Sequence, residues 1–214
     1  MSVIPNFFHD AVVAIGQKSE TGEPTWLASG FIVARKNEDD KYNIFMVSNR
    51  HVFESGLKQL VVRFNLEGVL TAIDYEVDLF DNNNVPNYSV HPNPNIDVAC
   101  TIVSNAMDLA RDIGRISAFK LGVHTLSRKE MLAQGVDEGS LVYSLGFPAG
   151  RVNSGSKMPI CRLGCISRIK ETIDDEGYLL DIQNFPGSSG SPIINKLETS
   201  CLQDSKHCNG TYLI

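Results

Sequence analysis

The segment Phe185-Pro186-Gly187-Ser188-Ser189-Gly190-Ser191-Pro192-Ile193-Ile194 carries a Gly-x-Ser-Gly-x-Pro pattern that runs into an apolar, strand-like stretch. A serine hydroxyl attacks a carbonyl poorly unless a base takes its proton and backbone N–H groups hold the oxyanion that forms. Gly187 and Gly190 allow the sharp backbone turn that such a nucleophile, Ser189, requires. Taken alone, a Gly/Ser/Pro cluster marks an ordinary turn. A base and an orienting acid must accompany it. His51 follows the apolar run Ile44-Phe45-Met46-Val47, where a rigid element can hold an imidazole in place. Asp97 stands at the mouth of the run Val98-Ala99-Cys100-Thr101-Ile102-Val103, where a partly buried carboxylate can set the imidazole tautomer. His51 is therefore the candidate base and Asp97 the candidate acid.

The chain order His, Asp, Ser resembles that of chymotrypsin-type enzymes rather than the α/β-hydrolase or subtilisin orders. Ala28-Ser29-Gly30-Phe31-Ile32-Val33 resembles the glycine-containing second strand of trypsin-like serine peptidases, and Asp97-Val98-Ala99 their Asp-[Ile/Val]-Ala motif. Gly187 to Pro192 resembles their nucleophile loop. Leu145-Gly146-Phe147-Pro148 and Leu163-Gly164-Cys165-Ile166-Ser167 are similar to segments of bacterial HtrA/Deg-type and glutamyl-endopeptidase-type members.

The resemblance implies an all-β fold of two six-stranded antiparallel β-barrels, chymotrypsin-like, with the active site in the cleft between them. Residues 1–120 would form the first barrel, with His51 and Asp97, and residues 121–214 the second, with Ser189; the junction falls near residues 116–136. The implied activity is endopeptidase cleavage of polypeptide substrates through an acyl-enzyme. The backbone N–H groups of Gly187 and Ser189 would form the oxyanion hole, and no metal or organic cofactor is required. Gln183 matches the position at the base of the primary specificity pocket, and a neutral amide there disfavours strong selection of basic side chains. Ser188 stands where digestive members carry an aspartate that pairs with a freshly cut N-terminus. Control by a regulatory or sensor domain or a partner is expected instead. The fold also implies peptide binding by strand addition beside the cleft. The other reading of the same motifs is a catalytically silent domain whose cleft binds peptides as a scaffold. A non-enzyme binding module with accidental motifs ranks third.

The 214 residues are 43% hydrophobic and 21% charged, as expected for a folded globular chain. A formal charge of −6 and a pI near 5.3 argue against general affinity for nucleic acid or an anionic membrane. No run approaches the roughly 18 consecutive apolar residues of a membrane span. The N-terminus lacks the basic start and apolar core of a secretory signal. Five cysteines (Cys100, Cys161, Cys165, Cys201, Cys208) make no even disulfide framework, so a reducing, cytoplasmic setting is expected. Gly210-Thr211-Tyr212-Leu213-Ile214 resembles the start of a further strand, so the second barrel is expected to be incomplete at its C-terminal end.

Strand-like runs recur at Ala11 to Ile15, Trp26 to Val33, Tyr42 to Val47, Leu60 to Phe64, Val69 to Val77, Val98 to Val103, Leu141 to Leu145, Ile160 to Ile169, Tyr178 to Ile182 and Pro192 to Asn195. Short helices are expected at Met107 to Ile113 and Ser127 to Gln134. His91, before Pro92, reads as a loop residue, and His9, His124 and His207 as surface or packing residues. Cys201, His207 and Cys208 match structural zinc spacing poorly. Cys161 and Cys165, four apart on one strand face, suggest packing.

Overall fold

The computed structural model describes residues 4–20, 22–67, 72–104, 115–152, 158–170, 177–196 and 211–214. They form two sheets. In the first, β1 (Val12–Lys18), β2 (Pro24–Lys36), β3 (Tyr42–Ser48), β4 (Gln59–Glu67), β5 (Ala72–Asp78), β6 (Tyr88–Val90) and β7 (Ala99–Ile102) lie in the order β5-β4-β1-β2-β3-β7-β6, antiparallel throughout. Two short strands join it off this path: β8 (Arg115–Ile116) pairs with β4, and β9 (Phe119–Lys120) runs parallel beside β2. The second sheet comprises β10 (Leu141–Gly146), β11 (Ile160–Arg168), β12 (Leu179–Asp181) and β13 (Ile193–Asn195) in the order β12-β11-β10-β13. The architecture is all-β and chymotrypsin-like, with two antiparallel sheets. Neither strand order closes on itself among the described residues, and the second sheet has four described strands where the resemblance implies six.

Each of the ten anticipated runs overlaps a strand. Three further strands, β6, β8 and β9, are only two or three residues long, too short to show a period of two. The C-terminal of the two expected helices spans Arg128–Ala133 (called α3 below, after α1 at Asn6–Asp10 and α2 at Arg50–Phe53). Ser127 caps α3 in a reciprocal capping box with Glu130, whose carboxylate accepts the Ser127 N–H at 2.7 Å. The expected helix at Met107 to Ile113, and Cys201, His207 and Cys208, lie outside the described residues.

Side chains alternate across a strand, and β1 uses both faces. Val13 and Ile15 enter a core inside the first sheet with Ile32, Met46, Phe64 and Leu66. Val12 and Ala14 face the other way, into a cluster with Phe119, Leu145, Phe147, Ile194 and Leu213. That second cluster draws residues from both sheets and joins them. The short α1 closes it with Phe8, 1% exposed, whose ring meets Phe119 edge-on at 5.0 Å. Met131, Val136, Val142, Ile166 and Ile169 form a separate core under the second sheet.

Candidate active site

Pairing of β3 with β7 places Ser48 opposite Ala99. Asp97 and His51, just beyond those ends, therefore meet. Val52 and Phe53 anchor α2 in the first core at 8% and 1% exposure, which leaves the His51 side chain, 59% exposed, facing the cleft. His51 Nδ1 lies 2.6 Å from Asp97 Oδ2, and the His51 backbone N–H donates to Asp97 Oδ1 at 2.9 Å. Burial alone would raise the Asp97 carboxyl, but the backbone and ring N–H groups of His51, its charge and the Arg50 backbone N–H together hold it below the usual value. An ionised carboxylate only accepts hydrogen bonds, so Nδ1 carries the proton and Nε2 is left as an acceptor. Nε2 lies 3.2 Å from Ser189 Oγ.

The Ser189 loop is held from both sheets. The Ala149 N–H donates to Pro186 O at 2.6 Å. In a trans peptide the C=O and the next N–H point in opposite directions, so this bond turns the Gly187 N–H away from Ala149. No described residue accepts from the Gly187 or Ser189 N–H. Gly187 has φ +85°, and a Cβ there would lie 2.9 Å from Phe147 O and 3.1 Å from Ala149 N, so only glycine fits. From the first sheet, the Ser29 N–H donates to Ser189 O at 2.8 Å. The Ser29 hydroxyl donates to Gly187 O at 2.9 Å and accepts the Phe147 N–H at 2.8 Å. Ser48 Oγ in turn donates to Ser29 O at 2.7 Å.

The trypsin-like peptidase domain family matches residues 28–200, a span that includes His51, Asp97, Ser189 and most of both sheets. The chain belongs to that family. A comparison with curated proteins finds no match.

In this trypsin-like peptidase domain His51, Asp97 and Ser189 line a cleft of ≈ 710 Å³ that also contains Ser144, Arg162, Ile182 and Asn184. Arg162 Nη1 donates to Gln183 O at 2.6 Å and Nη2 to Ser144 Oγ at 3.0 Å, and burial pushes the guanidinium pKa down. Its Nε is buried with no hydrogen-bond partner. Gln183 itself is exposed, and its side chain does not line the cleft, whereas its neighbours Ile182 and Asn184 do. Alternation along an extended segment turns 183 away from the face that 182 and 184 share. Among the described residues, the cation lining the cleft is Arg162, which no sequence motif marks.

Ser29 and Asn49 likewise escape sequence reasoning as site residues. Ser29 lies inside a recognised motif and Asn49 two residues before His51, but their roles depend on contacts with residues more than 100 positions away. His91 and His124 serve local turns, their Nδ1 atoms accepting the Asn93 and Lys120 backbone N–H groups, each at 3.1 Å. Among the described residues, no group of three or more His, Cys, Asp or Glu side chains is placed to hold a metal, and Cys100, Cys161 and Cys165 are free thiols. No described helix is long and apolar enough to cross a membrane.

Proposed function

We propose that this chain is a serine endopeptidase that hydrolyses peptide bonds in protein substrates through His51, Asp97 and Ser189. The observation that carries the reading is the continuous relay from Asp97 Oδ2 through His51 to Ser189 Oγ, at 2.6 and 3.2 Å. His51 Nε2 takes the Ser189 proton as the oxygen attacks the scissile carbonyl, and the same proton then passes to the leaving amine. Asp97 stabilises the transient imidazolium. The Gly187 and Ser189 N–H groups bind the oxyanion, each such donor contributing about 2.7–4 kcal/mol in comparable enzymes. Water then attacks the acyl-enzyme with His51 again as base. Side chains and backbone N–H groups of the chain perform every step.

Residues 1–120 supply the base and acid in this reading, and residues 121–214 the nucleophile. Ser188 supports a kinship with HtrA/Deg-type or glutamyl-endopeptidase-type members. It is buried at 5% exposure, and a hydroxyl there needs no ion pair with a new N-terminus. Control accordingly passes to a regulatory domain or partner. A cytoplasmic location is consistent with the free thiols at Cys100, Cys161 and Cys165.

A fluorophosphonate probe tests the reading directly. Covalent labelling of the folded chain at Ser189, abolished in Ser189→Ala and strongly slowed in His51→Ala, is the expected result. Absence of labelling in every folded version, with or without added partner proteins, would sink the proposal in favour of a silent peptide-binding scaffold.

A further inference from the structure

Asn49 occupies the N-cap position of α2, where an asparagine side chain ordinarily accepts a backbone N–H from its own helix. Here it makes no such bond. The α2 N–H group of His51 bonds instead to the Asp97 carboxylate, at 2.9 Å. The Asn49 carboxamide, released from capping, spans the cleft. Its Nδ2 donates to Asp97 O at 2.8 Å, and its Oδ1 accepts the Gly190 N–H at 2.5 Å.

The second bond acts on the nucleophile. The Ser189–Gly190 peptide has its carbonyl held by the Ser29 N–H at 2.8 Å and its N–H held by Asn49 Oδ1. Both ends of one planar unit are thus fixed by the first sheet, while Ser189 belongs to the second-sheet side of the cleft. Gly190, at φ +79°, has no room for a side chain, since a Cβ would collide with both Ser29 O and Ser48 Oγ. The peptide can therefore seat closely enough to meet both partners.

We infer that Asn49 is a positioning residue: its single carboxamide couples the backbone of the acid, Asp97, to the backbone that carries the nucleophile, Ser189. This rests on the endopeptidase reading above. Asn49 lines the cleft, but its hydrogen bonds go to the Asp97 and Gly190 backbone and to neither His51 Nε2 nor Ser189 Oγ. It acts by fixing the separation between His51 Nε2 and Ser189 Oγ, and misplacement of a reacting group by about 1 Å costs on the order of 100-fold in rate.

The test compares the full chain with Asn49→Ala and Asn49→Asp, using steady-state peptide cleavage, fluorophosphonate labelling and amide hydrogen exchange. In Asn49→Ala, kcat and the labelling rate fall about 10- to 100-fold while KM moves less than about threefold. Exchange at Gly190 accelerates at least about tenfold, and the β1 and β4 core amides keep their protection. Asn49→Asp keeps an acceptor for Gly190 but loses the donor to Asp97 O, so Gly190 stays protected while kcat still falls. An Asn49→Ala variant that retains kcat within about twofold, or leaves Gly190 exchange unchanged, would overturn the inference. So would loss of core protection in both variants, because Asn49 would then be a global stability element. If the parent chain does not label, the endopeptidase reading fails, whereas unchanged Gly190 exchange with intact labelling removes only the role of Asn49.

Discussion

Replacing Ser29 by alanine removes one hydroxyl and disconnects three segments. Ser29 is 0% exposed, and its Oγ serves the Phe147 N–H at 2.8 Å and Gly187 O at 2.9 Å. The Phe147 N–H lies in the apolar cluster between the sheets and, unpaired there, costs about 1–3 kcal/mol. Gly187 is half-buried, so water can replace part of its lost bond and the added cost is about 1 kcal/mol. The expected loss is therefore about 2–4 kcal/mol, a large fraction of the stability of an ordinary domain. Trp26, the one tryptophan, packs against that same cluster and supplies the fluorescence signal for a urea titration. The functional effect is separable. Gly187 O would lose its tether, the neighbouring N–H would lose its aim, and fluorophosphonate labelling would fall at least about tenfold in protein that is still folded. Ser89→Ala, at an exposed position on β6, is the control and stays within about 0.5 kcal/mol. A Ser29→Ala protein within that same margin, with labelling at the parental rate, would refute the account of how the two sheets hold the loop.

Two other perturbations act on the same machinery. Gly187→Ala puts a Cβ 2.9 Å from Phe147 O at a φ of +85°, so the Pro186–Gly187 peptide must move and its N–H with it; kcat on a peptide substrate should drop about 10²- to 10³-fold with the chain still folded by circular dichroism. Asp97→Asn can offer an amide donor to Nδ1, which inverts the imidazole tautomer and removes the base, so kcat should fall by roughly 10⁴, as the equivalent change does in chymotrypsin-type enzymes. The Asp97 carboxyl is held below its ordinary value in the folded chain, so its contribution to stability is present above the unfolded value of about 3.9 and is lost as pH falls through the lower folded value. Urea midpoints should therefore show the parent's advantage over Asp97→Asn at pH 6 shrinking toward zero as the pH falls below the unfolded value and through the lower folded one.

The parts of this molecule legible in the sequence are those whose signal is local. Each long strand announces itself by a run of five or more positions rich in apolar residues, and β4 (Gln59–Glu67) and β11 (Ile160–Arg168) fall where their runs begin. The β6, β8 and β9 strands are short because they pair with one neighbour over two or three residues, and nothing within such a segment distinguishes it from a turn. The helix at Arg128–Ala133 falls inside the expected Ser127 to Gln134 stretch, whereas the α1 turn at Asn6–Asp10 forms because Phe8 finds an apolar slot made by Phe119, 111 positions away. The site divides in the same way. His51, Asp97 and Ser189 are legible as a set, from three spaced motifs in that order along the chain, and the structure brings His51 within hydrogen-bond reach of the other two. Arg162 carries no motif, and it enters the cleft only because β11 pairs with β10 at Ser144.

Assembly of the relay is therefore inseparable from docking of the two sheets. Ser29, Ser48 and Asn49 belong to β2, β3 and the turn after it, yet all three reach the 187–190 loop or the residue that holds it. The apolar cluster of Phe8, Phe119, Leu145, Phe147 and Ile194 presses the same surfaces together a short distance behind. Apolar packing is non-directional and tolerates small sliding, whereas the hydroxyl and carboxamide bonds fix one register. The energy that holds the sheets together thus comes mainly from the cluster, and the accuracy of the His51–Ser189 contact from three polar side chains. A partner that tightened the cluster without reaching these polar groups would raise stability and leave the labelling rate unchanged, whereas one that ordered the 187–190 loop would raise labelling with little change in the urea midpoint.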